Sequence, residues 1–343
     1  MKKGHPGLER KTSSRGKSVR ALFSAASFSA LILASTPQAT LADEGGVSFW
    51  LPGLFGSLVT LPGEPGSSVA SLYIHTSVAA SAGRDIILNG RIVAGLSGTA
   101  NIAGIGPTYT FETPVLGGQA ALSLLGIGGR SDASISASLT GPRGNTISGS
   151  LSDSDAGIGD LFPQGSLKWN LGVHNLMTYV TGDIPVGKYN STRLANLGLG
   201  HGAIDGGGGY TYFDPSTGHE FSAATGITYN FTNQALNYQN GIDFHLDWGA
   251  SQFLSKEMFV GAVGYFFNQI TGDSGPGATL GDFQSRVAGI GPQIGYLVPV
   301  GGMQGFIGLK GYKEFGAQNR APGWNFWLTL AISPAPAQAA AYK

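Results

Sequence analysis

The chain contains no cysteine. That excludes disulfide scaffolds, thiolate metal centres and cysteine nucleophiles together. Charge is also scarce: Asp, Glu, Lys and Arg make up 12% of the 343 residues, about half the share of an ordinary soluble domain. A soluble globule of this length needs more charge to cover its surface. Beyond the N-terminal region no stretch of about 20 consecutive apolar residues occurs, so no helical span is expected. The 17 prolines and the glycines keep no three-residue period, which excludes a collagen-like helix.

Glycine, by contrast, is abundant at 56 residues, more than twice average usage. Aromatics are plentiful, with 5 Trp, 12 Tyr and 18 Phe, and a disordered chain would have few. Such a composition points to many short strands and tight turns.

Residues 1–20 hold seven Lys or Arg against the single acid Glu9, and Ala21 to Ala34 is a charge-free, mostly apolar run. Pro37 and small residues follow, ending in Thr40-Leu41-Ala42. This is the layout of an export signal, with cleavage expected after Ala42. The apolar run is short and Ser-rich for a retained anchor. Removing residues 1–42 leaves 13 Lys and Arg against 19 Asp and Glu, a net charge of about −6. No basic patch remains, so nucleic acid is not an expected partner.

An exported chain without a helical span is periplasmic, secreted or an outer-membrane barrel. Alternation favours the barrel. Phe221, Ala223, Thr225, Ile227, Tyr229 and Phe231 share one face of 219–231, and Glu220, Ser222, Ala224, Gly226, Thr228 and Asn230 share the other. Phe244, Leu246 and Trp248 alternate with Asp243, His245 and Asp247. Phe326 and Leu328 alternate with Trp327 and Thr329. Runs of about ten residues, apolar on one side and small or polar on the other, suit strands between lipid and lumen. Short breaks at 114–118, 214–218, 255–257 and 299–302 alternate with long ones near 83–100, 130–155, 186–206, 232–240, 271–282 and 316–322. Barrels show that asymmetry, with short periplasmic turns and long outer loops.

The pattern predicts twelve strands, at 70–81, 102–113, 119–129, 156–168, 171–185, 206–213, 219–231, 241–254, 257–270, 283–298, 303–315 and 323–333. Pro163 and Pro292 fall inside two of them, where bulges or different strand boundaries are expected because proline cannot donate to a ladder. The expected organisation is an all-β, antiparallel outer-membrane barrel over 69–333. A signal peptide over 1–42 and an N-terminal segment over 43–68 precede it, and a disordered tail over 334–343 follows.

Several stretches resemble a known family: SFWLPG (Ser48–Gly53), GIGDLFP (Gly157–Pro163), TGDIPVGKY (Thr181–Tyr189) and RLANLGLGHGAID (Arg193–Asp205). So do Gly209–Phe231, Tyr238–Ser255, Ser285–Tyr296 and Gly323–Pro334. Over nearly its whole length the mature chain is similar to the outer-membrane family associated with the meta-pathway of phenol degradation. The resemblance implies a β-barrel distantly similar to the long-chain fatty-acid channels, and a transporter role. The tail after Pro334 departs from the pattern of barrels that finish on an aromatic residue.

Candidate lumen residues follow from the inward faces. Asp243, His245 and Asp247 share one polar face, but same-face neighbours stand about 6.6 Å apart. A hydrogen-bond network balanced by Lys310 is therefore expected there, and no metal. Lys310 and Glu314 share the inward face of 303–315, as an ion pair that fixes barrel shape or serves the path. Glu220, Asn230 and Trp327 complete the inward set, and a charged substitution at Asn230 or Thr329 is expected to be mild. Arg193, His201 and Asp205 mark a Gly-rich outer loop, either folded over or into the lumen or simply flexible. Its Gly198, Gly200 and Gly202 follow no apolar strand and open no helix, so a phosphate loop is excluded. His174-Asn175 invites a lipid-hydrolase reading, but no nucleophile and base are arranged locally. No cofactor and no enzymatic activity are expected.

The segment SFWLPGLFGSLVTLPG (Ser48–Gly63) is apolar and precedes the first strand. Phe49, Trp50 and Phe55, with Leu51 and Leu54, ask for shelter. Insertion into the barrel and packing at its rim are the two readings. Twelve strands tilted near 40° give a backbone diameter of roughly 24 Å, narrower than a general porin. A passive channel for small hydrophobic or aromatic compounds is the leading expectation, with a closed structural or adhesive barrel as the alternative. Expected partners are membrane lipid, lipopolysaccharide, the outer-membrane assembly machinery and a small hydrophobic or aromatic solute.

Overall fold

The computed structural model describes residues 48–80, 85–88, 91–140, 146–279 and 281–336. The chain divides into two units, Met1–Ala39 and Thr40–Lys343. The expected signal peptide and all but the first residues of the expected tail lie outside the described residues.

Fourteen strands succeed one another without a helix among the described residues. They are β1 (Gly66–Ala79), β2 (Asp85–Leu88), β3 (Arg91–Ala94), β4 (Ser97–Thr110), β5 (Gln119–Thr140), β6 (Thr146–Leu171) and β7 (His174–Asp183). Then follow β8 (Ala203–Asp214), β9 (His219–Asn230), β10 (Asp243–Phe253), β11 (Met258–Gln269), β12 (Arg286–Val300), β13 (Met303–Gln318) and β14 (Gly323–Pro334). All but β2 and β3, which pair only with each other, form a closed antiparallel barrel of twelve strands. The ring closes because β1 pairs with β14 on one side and β4 on the other. Each of the twelve expected strands has its counterpart.

Side-chain alternation explains the ring. On β10 the inward Asp243, His245 and Asp247 are buried, while Phe244, Leu246 and Trp248 are half-exposed outside. On β9 Glu220, Ser222, Thr228 and Asn230 are buried, while Phe221, Ile227 and Tyr229 are exposed. At the closing seam Ile74 and Trp327 meet inside, and Tyr73 and Leu328 meet outside. Polar groups inside and apolar groups outside invert the order of a soluble protein, as a lipid-facing wall requires. Closure leaves no unpaired edge in that wall.

The turns at one end are short. Gly301 and Gly302 alone join β12 to β13, both with positive φ, 56° and 83°. A two-residue turn whose twist matches its strands needs positive φ at both positions, which glycine adopts without strain.

Three local features differ from the sequence pattern. A hairpin, β2–β3, stands within the expected break at 83–100. The expected break at 130–155 is mostly ladder: β5 and β6 continue outward, with Ser134 opposite Ser152 and Ser136 opposite Ser150. Ile135, Ala137 and Leu139 alternate there with serines, as do Ile147 and Leu151, so the two-residue period is present but is outweighed by the Gly, Pro, Asn and Asp residues that read as a loop. The prolines, finally, do not carry the bulges. Pro163 faces Leu124 and Pro292 faces Ala262 in continuous register, and the shifts fall at Gly126/Gly128 and Arg286/Ala288. Each proline gives up one donor, and Pro163 still accepts from Thr181 Oγ1 at 2.9 Å. The bulge on β6 turns Asp160 inward, where its carboxylate accepts the amides of Gly187 (2.7 Å) and Leu199 (2.7 Å).

An Arg at Leu246 or Leu328 should cost about 2–4 kcal/mol near the bilayer midplane, and Thr329→Arg much less, measured by reversible urea unfolding in lipid vesicles. Asn230→Arg should be costly in the same measurement, unlike the mild effect that inward parity alone suggests. Asn230 is 1% exposed and donates to Gly241 O (2.9 Å) and Asp243 Oδ2 (2.8 Å), which leaves an Arg no room.

Candidate functional site: an aromatic segment inside the barrel

Residues Ser48–Leu61 lie inside the ring and are held largely through their main chain. The Asp247 carboxylate accepts the amides of Gly53 (2.9 Å) and Phe55 (3.1 Å). Glu220 accepts the Leu58 amide (3.0 Å) and the Ser57 hydroxyl (2.6 Å). Lys310 Nζ donates to the carbonyls of Gly53 (2.6 Å), Leu54 (3.3 Å) and Phe55 (3.3 Å). Lys168 Nζ donates to Val59 O (2.8 Å) and Leu61 O (3.2 Å). An irregular backbone cannot sit unsatisfied in a dry interior. Two carboxylates and two lysines do here what a neighbouring strand does in the wall. Gly53 is required at its place: its φ is 91°, and a Cβ would stand 2.9 Å from the Tyr312 ring.

The apolar side chains pack onto the lumen wall. Trp50 is 2% exposed and stacks on the His245 ring, centroids 3.6 Å apart and planes 11° apart. Phe55 meets Trp50 edge-on at 5.1 Å and Tyr179 at 5.4 Å. Phe49 lies 5.8 Å from the Phe162 ring. Beneath Trp50, His245 Nε2 pairs with Asp205 Oδ2 at 2.9 Å, and Thr228 donates to the same oxygen at 2.6 Å.

The segment grips one side of the ring, β6 to β10 with β12 and β13. Along the other side, β1, β4, β5 and β14, two cavities remain. One, about 270 Å³, lies toward the end where β1 begins and β14 finishes, between Leu72, Thr108, Leu125, Gln164 and Thr329. The second, about 280 Å³, lies toward the opposite end between Ile74, Leu96, Ile102, Ile127 and the 189–201 loop. Phe49, Trp50, Leu51, Phe162 and Trp327 line both and form the partition between them.

The 189–201 loop closes the outer cavity with Tyr189, Leu194, Leu197, Leu199 and His201. It is pinned by Arg193, which donates to Asp153 (Nε 3.1 Å, Nη2 2.7 Å) and Asp155 (Nη1 2.7 Å) on the outward extension of β6. Lys188 also pairs with Asp155. The Arg193 hydrogen bond holds the Asp153 carboxyl far below the usual carboxylate range, against an opposing push from burial. Burial pushes His201 below its ordinary value.

The inward residues chosen from sequence thus meet different partners. Asp243, His245 and Asp247 serve Asn230, Asp205 and the segment respectively. Two expectations are corrected. Lys310 and Glu314 form no pair: four residues along one strand are about 13 Å apart, and Glu314 instead accepts from Tyr265 Oη at 2.9 Å. Asp205 is not a loop residue but lies on β8, 1% exposed. His174 bonds Tyr210 Oη at 2.8 Å at an exposed position, away from the lumen. Sequence reasoning missed Lys168, Phe162, Tyr179, Tyr265 and Arg320. Lys168 carried a signal, as a lone cation on an otherwise apolar strand end. The tyrosines carried none, since aromatics occur on both faces.

With this geometry in view, comparison with known proteins is informative. The profile of a family described as "Putative MetA-pathway of phenol degradation" matches residues 82–330. The chain belongs to that family. Among solved structures it is similar to the COG4313 outer membrane channel from Pseudomonas putida F1. The TM-score is 0.61 at 14% identity, over 79% of this chain and 96% of that one. It also matches a Pseudomonas aeruginosa FadL homologue, with TM-score 0.36 at 8% identity, over 86% and 98% of the two chains. The transport unit of the Escherichia coli autotransporter AIDA-I gives TM-score 0.40 at 12% identity, over 79% and 91%. A search of curated protein sequences finds no match. Barrel and apolar exterior are those of a Gram-negative outer-membrane protein.

Asp247→Asn should speed amide exchange at Gly53 and Phe55 at least about tenfold, given the worth of a hydrogen bond to a charged group. The ladder amides of β10 should be unchanged in the same exchange measurement. The loop tether has a defined pH sense. Because the Asp153 carboxyl is depressed, the tether's contribution is present at neutral pH. It fades only as pH falls below the ordinary aspartate value of about 3.9 toward the depressed one. Arg193→Gln should accordingly expose 185–202 to protease at pH 7 in a barrel that still shows heat-modifiable migration.

Proposed function

We propose that the barrel is a passive outer-membrane channel for small hydrophobic or aromatic compounds, phenol-type substrates included. The observation that carries this is the pair of apolar cavities in series, with an aromatic partition between them. An apolar cavity of about 150 Å³ holds benzene, so each chamber takes one ring-sized solute. Phe49, Trp50, Phe55 and Trp327 supply the apolar surface along the path. Glu220, Asn230, Asp243, His245, Asp247 and Lys310 serve it indirectly, by holding the segment or its wall. Arg193 and His201 act at the outer mouth through the loop. Passage requires the partition to shift, and a segment held by side-chain hydrogen bonds and ring packing, with no strand pairing, is the part able to do so. The surrounding partners in this reading are membrane lipid and lipopolysaccharide, with assembly by the outer-membrane machinery after signal-peptide cleavage near Ala42. The family membership and the fold shared with an outer membrane channel support transport over catalysis.

Deleting Ser48–Gly56 should leave an assembled, heat-modifiable barrel with higher and less selective conductance in planar bilayers. Unchanged conductance would remove the segment from the path. No conductance from either protein would favour a closed structural or adhesive barrel.

A further inference from the structure

One group of polar side chains of the outer cavity lies on β11, β13 and β14 and forms a hydrogen-bonded chain, with Arg320 on the neighbouring 319–322 turn. Trp327 Nε1 donates to Asn325 Oδ1 (2.9 Å), Asn325 Nδ2 to Tyr265 Oη (3.0 Å), and Tyr265 Oη to Glu314 Oε1 (2.9 Å). The chain ends on the carboxylate. Glu314 Oε2 is buried without a partner, and so are Nε and Nη1 of Arg320. The Arg320 guanidinium lies over the Phe267 ring at 5.5 Å. Both residues line the same cavity, yet no ion pair joins them. Two residues on the lining of one cavity therefore carry unmet donors and an unmet acceptor. Leaving such groups buried and unpaired is costly.

Different solutes answer these groups differently. A hydroxyl has the functions for both, an O–H to donate to Glu314 Oε2 and an oxygen to accept from Arg320. A carboxylate suits Arg320 alone and sets its charge against Glu314, with Asp132 and Asp160 also on the lining. An ammonium suits only the acids and leaves Arg320 unmet. An unsubstituted hydrocarbon meets neither. We propose that Glu314 and Arg320 form the head-group site of the channel, receiving the hydroxyl of a small apolar molecule whose body rests on Ile74, Ile102 and Ile127. The proposal rests on the channel reading above and adds a specificity to it. Tyr265 and Asn325 are positioning residues, orienting the Glu314 carboxylate so that Oε2 is the free oxygen.

The test uses the full-length mature protein in planar bilayers and reads how long single solutes interrupt the ion current. Phenol, toluene and benzoate are the probes. In the wild type, phenol should dwell about tenfold longer than toluene or benzoate, the fold-change expected for one hydrogen bond to a charged group. Glu314→Gln and Arg320→Met should each shorten phenol dwell times toward those of toluene and leave toluene unchanged. Arg320→Lys, which keeps the charge, should retain part of the difference. Heat-modifiable migration confirms that each variant has assembled. Equal dwell times for phenol and toluene in the wild type would overturn the head-group site and leave the channel standing. Longest dwell times for benzoate would make it an anion site and overturn the proposal equally. No interruption by any probe would overturn the channel reading and this inference with it.

Discussion

The structure depends on one requirement: each backbone N–H and C=O removed from water must find a partner inside the protein. In the wall the requirement is met by closure. Pairing of β1 with both β14 and β4 leaves no strand edge facing lipid. The same requirement explains the lumen. Residues Ser48–Leu61 have no strand neighbour, so their amides and carbonyls are met by Asp247, Glu220, Lys310 and Lys168. These four interior charges are thus substitutes for a missing strand.

From this follows a division of labour around the ring. One side is polar because it grips a backbone. The other grips no backbone, and the two cavities lie there. A segment held by its main chain leaves its side chains free for another task, and Phe49, Trp50 and Leu51 become the partition. The outer cavity repeats the theme at small scale: a chain of donors is satisfied link by link until it reaches Glu314, where one oxygen is left over.

Outside the membrane plane the same elements take a different role. The extension of β5 and β6 carries Asp153 and Asp155, which anchor Arg193 and Lys188 and so hold the 189–201 loop over the outer cavity. The loop's leucines face inward because the β6 bulge presents Asp160 to the amides of Gly187 and Leu199. A local irregularity in one strand therefore shapes the mouth of the lumen.

Much of this was legible in the residues themselves. Strand number, barrel class and the faces of β9, β10 and β14 follow from a period-two alternation that lipid on one side and a polar lumen on the other impose locally. Inward placement of Glu220, Asp243, His245, Asp247, Lys310 and Trp327 follows from that same parity. What each of them touches does not. Asp247 meets Gly53 across 194 positions and Lys310 meets it across 257. Glu314 and Arg320, six residues apart, share a cavity with Ile74, Ile102 and Ile127 of distant positions. The expected Lys310–Glu314 pair failed because parity gives direction and not distance. The ladder of β5 and β6 was missed because its Gly, Pro, Asn and Asp residues read as a loop, although Ile135, Leu139, Ile147 and Leu151 keep the two-residue period. Alternation is a property of neighbours along the chain, and sequence alone determines it. Partnership across a lumen depends on strand register, tilt and closure, and only the assembled barrel decides it.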